Sequence, residues 1–127
     1  MKDRFGFRVF DKDKNEYVEK GYIHRWGYLV MPTMKNDYSL AEAEGNFVIE
    51  QCTGLKDKNG KLIYEGDIIE HFIGTEPKRY IVKWDYFKAC FYLKGITYTH
   101  TFDVFMKPYD NVIGNIHENP ELLKEEQ

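Results

Sequence analysis

Stiff side chains dominate this chain. Val, Ile and Thr number 7, 10 and 6, and Phe, Tyr and Trp add 21, whereas Ala, Leu and Met together reach only 14. β-Branched and aromatic side chains lose rotamer freedom on a helix and fit the pleated, half-buried surface of a sheet. The inventory therefore predicts a mainly β protein before any pattern is considered. A chain of 127 residues and 15.2 kDa buries about two-thirds of its unfolded surface, enough for one core and a single domain over residues 1–127.

The pattern along the chain agrees. Phe5, Phe7 and Val9 alternate with Arg4, Gly6 and Arg8, the period of a one-sided strand, and the polar turn Asp11–Asn15 leads into Glu16–Val18. Tyr22–Arg25, Gly27–Met31 and Phe47–Thr53 read as further strands. Between them, Ser39 is placed to cap one helical turn, Leu40–Glu44, ended by Gly45. Asn59-Gly60 is a tight-turn dipeptide, since both residues tolerate positive φ. Gly66-Asp67 opens Ile68–Ile73, and a turn follows at Gly74–Pro77. Strands are read at Arg79–Asp85, Cys90–Leu93, Ile96–Phe102 and Val112–Ile116. Their short connections leave no room for helical crossovers, so they pair antiparallel and suggest a small barrel. Asn119-Pro120 then carries the signals of a helix start.

Charge and cysteine content limit the function classes. Net charge is −3, but 17 of the 18 Lys and Arg and 17 of the 21 Asp and Glu precede Glu118. A neutral body offers no global field to steer a polyanion, which disfavours nucleic acid as a partner. The longest apolar window, Trp26–Met31, is far short of a membrane span, and Met1–Phe5 lacks the apolar core of a signal peptide. Cys52 and Cys90 make no disulfide framework and read as buried reduced thiols of a cytoplasmic protein.

No constellation spells out catalysis. Asp11-x-Asp13-x-Asn15 imitates a calcium loop but lacks its Gly and Glu, Glu16 and Tyr22 standing in those places; it reads as a hairpin turn. Asp57, Glu65 and Asp67 crowd one segment with no His or Cys beside them and read as turn chemistry. His24, His71, His100 and His117 show no metal-ligand spacing, and Ser39 is the only serine. The expectation is no catalytic residue, no metal and no cofactor. The one candidate binding surface is aromatic: Tyr64, Trp84, Tyr86, Phe87 and Tyr92, with Phe91, at one barrel end, as a groove for an extended peptide. Arg79, Lys83 and Lys88 could add a basic stripe for single-stranded nucleic acid, broken by Glu76 and Asp85.

Two segments carry a family resemblance. Gln51-Cys52-Thr53-Gly54-Leu55-Lys56-Asp57-Lys58-Asn59-Gly60-Lys61-Leu62-Ile63-Tyr64-Glu65-Gly66-Asp67-Ile68-Ile69 resembles the central motif of the YopX family of bacteriophage and prophage proteins. Val112-Ile113-Gly114-Asn115-Ile116-His117-Glu118-Asn119-Pro120-Glu121-Leu122-Leu123 is similar to its C-terminal motif, and Phe7-Arg8-Val9-Phe10-Asp11 to its opening, with Phe10 where Trp is usual. The resemblance implies a mainly β protein with N-terminal strands (about 1–53), a small SH3-like barrel (about 60–117) and a short C-terminal helix and tail (119–127). It implies a phage or prophage origin, an intracellular location, no established catalytic residues, and self-association.

The expected function is a non-enzymatic protein-interaction module, acting on itself or on a host or phage protein. A nucleic-acid-associated accessory protein and an enzyme with an unrecognised site are the alternatives. A homo-oligomer is expected because so many aromatic, Val and Ile side chains exceed what one small core can hide; Trp26, Tyr28 and Tyr98–Phe105 are the expected contributors.

Overall fold

A computed structural model describes residues 6–18, 22–23, 29–32, 40–42, 46–95, 99–101 and 110–124. The described strands are β1 (Phe7–Asp11), β2 (Glu16–Tyr17), β3 (Tyr22–Ile23), β4 (Leu29–Pro32), β5 (Leu40–Glu42), β6 (Phe47–Lys56), β7 (Leu62–Tyr64), β8 (Asp67–Ile73), β9 (Glu76–Asp85), β10 (Cys90–Gly95), β11 (Thr99–Thr101) and β12 (Asn111–Asn115), followed by a 3-10 turn at Pro120–Leu123. The protein is mainly β, as its side-chain inventory predicts. The chain forms two compact units, one from Met1–Phe7 with Glu50–Gln127 and one from Arg8–Ile49.

In the Arg8–Ile49 unit, β1 and β2 form the expected hairpin, with Phe10 opposite Tyr17 and Asp11 opposite Glu16. Asp11 Oδ1 accepts from the amides of Asp13 and Lys14 at 3.0 and 3.1 Å, and Asn15 takes a positive φ of 57°. The apparent calcium-loop signature is thus turn chemistry. Phe10 meets Tyr17 edge-on at 5.0 Å, and the Arg8 guanidinium lies 4.8 Å from the Tyr17 ring. The helical turn expected at Leu40–Glu44 is not formed. Leu40–Glu42 is instead β5, paired with β4 through Pro32↔Leu40, Met31↔Ala41 and Val30↔Glu42. One isolated helical turn does not recover its nucleation cost, whereas strand pairing satisfies the same backbone groups at once.

The larger unit holds a five-stranded antiparallel sheet in the order β11-β10-β9-β8-β12. Ile69, Tyr80, Val82, Leu93 and Val112 share one face of it, and Ile63 of β7 completes the core cluster. Burying each aliphatic side chain of this set contributes about 1.5–3 kcal/mol. The β8–β9 hairpin turns at Gly74-Thr75 alone, with Ile73 opposite Glu76 and Phe72 opposite Pro77. Pro77, expected in the turn, therefore lies in β9. It is tolerated there because the β9–β10 ladder ends at Tyr80↔Gly95, so among the described residues no strand on that side asks Pro77 for an amide.

The helix expected after Asn119 is a single 3-10 turn, and the cap explains the difference. The Asn119 side chain makes no cap hydrogen bond to that turn. Its Oδ1 accepts instead from the Asn115 amide at 3.2 Å, and Lys124 is already extended. Cys52 is buried as expected; Cys90 is half-buried, and both are free thiols.

Candidate functional site

The six sequence-selected aromatics do not form one groove. Trp84 and Phe91 sit opposite each other on β9 and β10, 4.9 Å apart and edge-on, on the core-facing side of the sheet with Val82 and Leu93. Tyr92 pairs with Lys83, one residue out of phase, and so points to the opposite face. Tyr64 follows the buried Ile63 on β7, opposite Cys52. Tyr86 and Phe87 stand apart from all of these at the β9–β10 hairpin tip, 87% and 102% exposed.

That tip is built rather than loose. Asp85 Oδ1 accepts from the amides of Phe87 at 2.9 Å and Lys88 at 3.2 Å, and Ala89 closes the loop at a φ of 51°. Asp85 and Cys90 then pair as the first rung of the hairpin. An Asp that binds the backbone two and three residues on orders the main chain of the turn that carries the side chains between. Two large rings are thereby held in water at no benefit to the core.

The basic stripe read from the sequence is dispersed. Arg79 Nη1 donates to the Leu122 carbonyl at 3.3 Å, Lys83 is half-buried, and Lys88 is exposed beside Asp85. The three motif carboxylates are occupied by backbone. Asp57 accepts from the amides of Asn59 and Lys61 at 2.9 Å with one oxygen and from that of Val112 at 3.0 Å with the other. Burial pushes the Asp57 carboxyl up, but these amides, aided by the Lys61 ammonium, outweigh it and hold the group below its usual range. Asp67 Oδ2 accepts from Tyr64 N at 2.8 Å, and Glu65 Oε1 from Gln51 N at 2.9 Å.

The YopX protein family matches residues 6–124. The chain belongs to the YopX family. The crystal structure of protein EF1440 from Enterococcus faecalis is similar to this YopX-family chain, with a TM-score of 0.61 at 25% identity over 93% of this chain and 96% of that one. No curated protein matches. The two long motifs meet in space. The amide of Ile116 donates to the Gly66 carbonyl at 2.9 Å, and, just ahead of the second motif, the Asp110 carbonyl accepts from Lys58 N at 3.1 Å. Asn59 Nδ2 donates to Asn111 Oδ1 at 2.9 Å. The motifs are a structural clasp around β12.

Two His–carboxylate pairs complete that clasp, and the sequence did not disclose them. His71 Nδ1 lies 3.0 and 3.1 Å from the two oxygens of Asp110, both residues being buried. His71 also meets Tyr80 edge-on at 5.5 Å. His117 Nε2 lies 3.3 Å from Glu50 Oε2. The pairs bracket β12, one just before it and one just after. No local spacing could have revealed them, because partners 39 positions apart, in the case of His71 and Asp110, are joined only by the sheet.

Among the described residues, no three His, Cys, Asp or Glu side chains gather to hold a metal ion, and no helix is long and apolar enough to cross a membrane. His24, Trp26, Tyr28, Tyr98 and Phe102–Phe105 lie outside the described residues, and so does the side chain of His100.

Proposed function

We propose that this chain is a non-enzymatic interaction module that presents Tyr86 and Phe87 to another protein. The observation that carries the reading is the near-complete exposure of two adjacent rings on a turn that Asp85 holds fixed. Large apolar side chains left in water at a defined position favour a partner, and aromatics are the side chains most enriched where binding energy concentrates. The polar groups of the two family motifs are spent on the fold, which weighs against an active site there. We take the sheet of β8 to β12 with β7 as a small SH3-like barrel whose hairpin tip is the working end. The family resemblance supports a phage-encoded protein acting inside the bacterial host.

Nucleic acid is the second reading, since Lys88 adjoins the rings and bases stack on aromatics. The Asp85 carboxylate at the same turn disfavours a phosphate backbone. A pull-down from host extract separates the two: recovery of a specific protein by the wild type, insensitive to nuclease and lost with Tyr86→Ser/Phe87→Ser, is expected. Nuclease-sensitive recovery would transfer the function to nucleic acid, and recovery unchanged by the double substitution would remove the tip from it.

We also propose a homo-oligomer, supported by the excess of aromatic, Val and Ile side chains over what one core holds. Light scattering at micromolar concentration should give a mass above the 15.2 kDa of one chain; a mass that stays there as concentration rises overturns the oligomer.

A further inference from the structure

Asn59-Gly60 is the most chemically labile dipeptide in the clasp. Both residues are exposed, Gly60 is held at a φ of +80°, and the space where its Cβ would stand is open to 4 Å. A glycine after asparagine leaves its backbone nitrogen sterically accessible to the asparagine side-chain carbon. Two hydrogen bonds oppose the reaction. The Asn59 amide group is held by Asn111 Oδ1 at 2.9 Å, and the Gly60 N–H donates to the Asp57 carbonyl at 3.0 Å.

We infer that Asn59 is a self-modification site, a slow deamidation gated by its bond to Asn111. When that bond and the Gly60 N–H bond to the Asp57 carbonyl open together, the Gly60 nitrogen loses its proton to solvent and attacks the Asn59 side-chain carbonyl carbon. A new C–N bond closes a five-membered succinimide, the C–N bond to the side-chain nitrogen breaks, and ammonia leaves carrying the proton. Water then adds across either imide carbonyl and opens the ring, giving Asp or isoAsp at position 59. The first step is a cyclisation that expels ammonia and the second a hydrolysis, so that overall one water replaces one ammonia and no oxidation state changes.

The product acts on β12. A carboxylate at position 59 no longer donates to Asn111 Oδ1 and places a negative charge beside Asp57. The isoAsp form also lengthens the backbone by one methylene inside the turn where Asp57 accepts from Asn59 N and Lys61 N. Asp57 is the same side chain that holds Val112 N. Modification at an exposed turn therefore loosens the start of β12, in one direction and without an enzyme. It is an ageing device placed on the clasp of the two motifs.

The test is ageing of the full chain at mildly alkaline pH, with peptide mapping by mass spectrometry, for the wild type, Asn111→Ala and Asn111→Asp. The Ala variant deletes the acceptor and should deamidate at Asn59 roughly two- to tenfold faster, the range expected for losing one hydrogen bond; the Asp variant keeps an acceptor and should match the wild type. Equal rates in all three overturn the gating, and an unmodified Asn59 in every chain overturns the site. A second measurement does not depend on either variant folding. Hydrogen exchange of aged wild type should show lost protection of the Lys61 and Val112 amides in the modified fraction, and unchanged protection there overturns the effect on β12.

Discussion

One carboxylate, that of Asp57, accepts three backbone amides from two segments of the chain. Asp57→Ala leaves those amides to find other acceptors, one of them the buried Val112 N–H, and should cost about 3 kcal/mol in urea denaturation, near the upper value for a single charged hydrogen-bond partner. The pH dependence has a definite sign. The folded group is held below its ordinary value of 3.8, so between the two values the unfolded chain binds more protons and stability rises with pH. The contribution is fully present above the unfolded value and is lost as pH falls through the lowered folded one. Melts taken below about pH 4 should therefore fall more steeply for the wild type than for Asp57→Asn, and parallel acid limbs would contradict the assignment. Gly66 is the second residue on which the clasp depends. Its N–H donates to Val82 O and its carbonyl accepts from Ile116 N, both at 2.9 Å, at a φ of +84°. A Cβ there would overlap the Glu50 carboxylate, which is buried and faces His117 and so has little freedom to swing aside. Gly66→Ala combines backbone strain with that overlap and should destabilise by about 3 kcal/mol; a loss under about 0.5 kcal/mol, the usual surface scatter, would refute the packing at this point.

Among the elements, those with strong local signals were legible. The alternation of Phe7 and Val9, and the turn dipeptides at Asn59-Gly60 and before Asp67, gave strands and turns within a few residues of where they lie. Leu40–Glu42 and the segment after Asn119 were not legible, because each depends on a partner from elsewhere. The first takes its conformation from β4, and the second loses its helix cap to Asn115 N. The aromatic surface was legible only as composition: pairing register decides that Trp84 and Phe91 turn inward while Tyr92 turns away. What remains is the tip, Tyr86 and Phe87. Because both rings are exposed, Tyr86→Ser/Phe87→Ser should change unfolding free energy by no more than about 0.5 kcal/mol while removing partner recovery. Asp85→Ala keeps both rings but deletes the acceptor that positions Phe87 N and Lys88 N. It should weaken recovery as well, at a stability cost of about 1 kcal/mol. Full recovery with Asp85→Ala would show that the rings act without being held.

At the scale of the molecule, the end of the chain is structural rather than an appendage. β12 closes one side of the five-stranded sheet and contributes Val112 to its core. Its flanks supply Asp110 to His71 and His117 to Glu50. Asn115 ties the following turn by accepting from the amides of His117 and Glu118 and donating to the Glu118 carboxylate. Removing residues 110–127 deprives two buried side chains of these partners at once. Leaving a buried polar group without its partner costs about 1–3 kcal/mol each, more where it is charged, and the loss of Val112 adds about 1.5 kcal/mol or more. The sum reaches into the stability range of an ordinary domain, about 5–15 kcal/mol. A chain ending at residue 109 should therefore show no cooperative thermal transition by circular dichroism, whereas one ending at Lys124, which keeps every bond named above, should melt like the full chain. If the shorter chain still melted cooperatively near the wild-type temperature, the two motifs would not be the clasp that closes this fold, and their density of polar residues would have to be read again as chemistry.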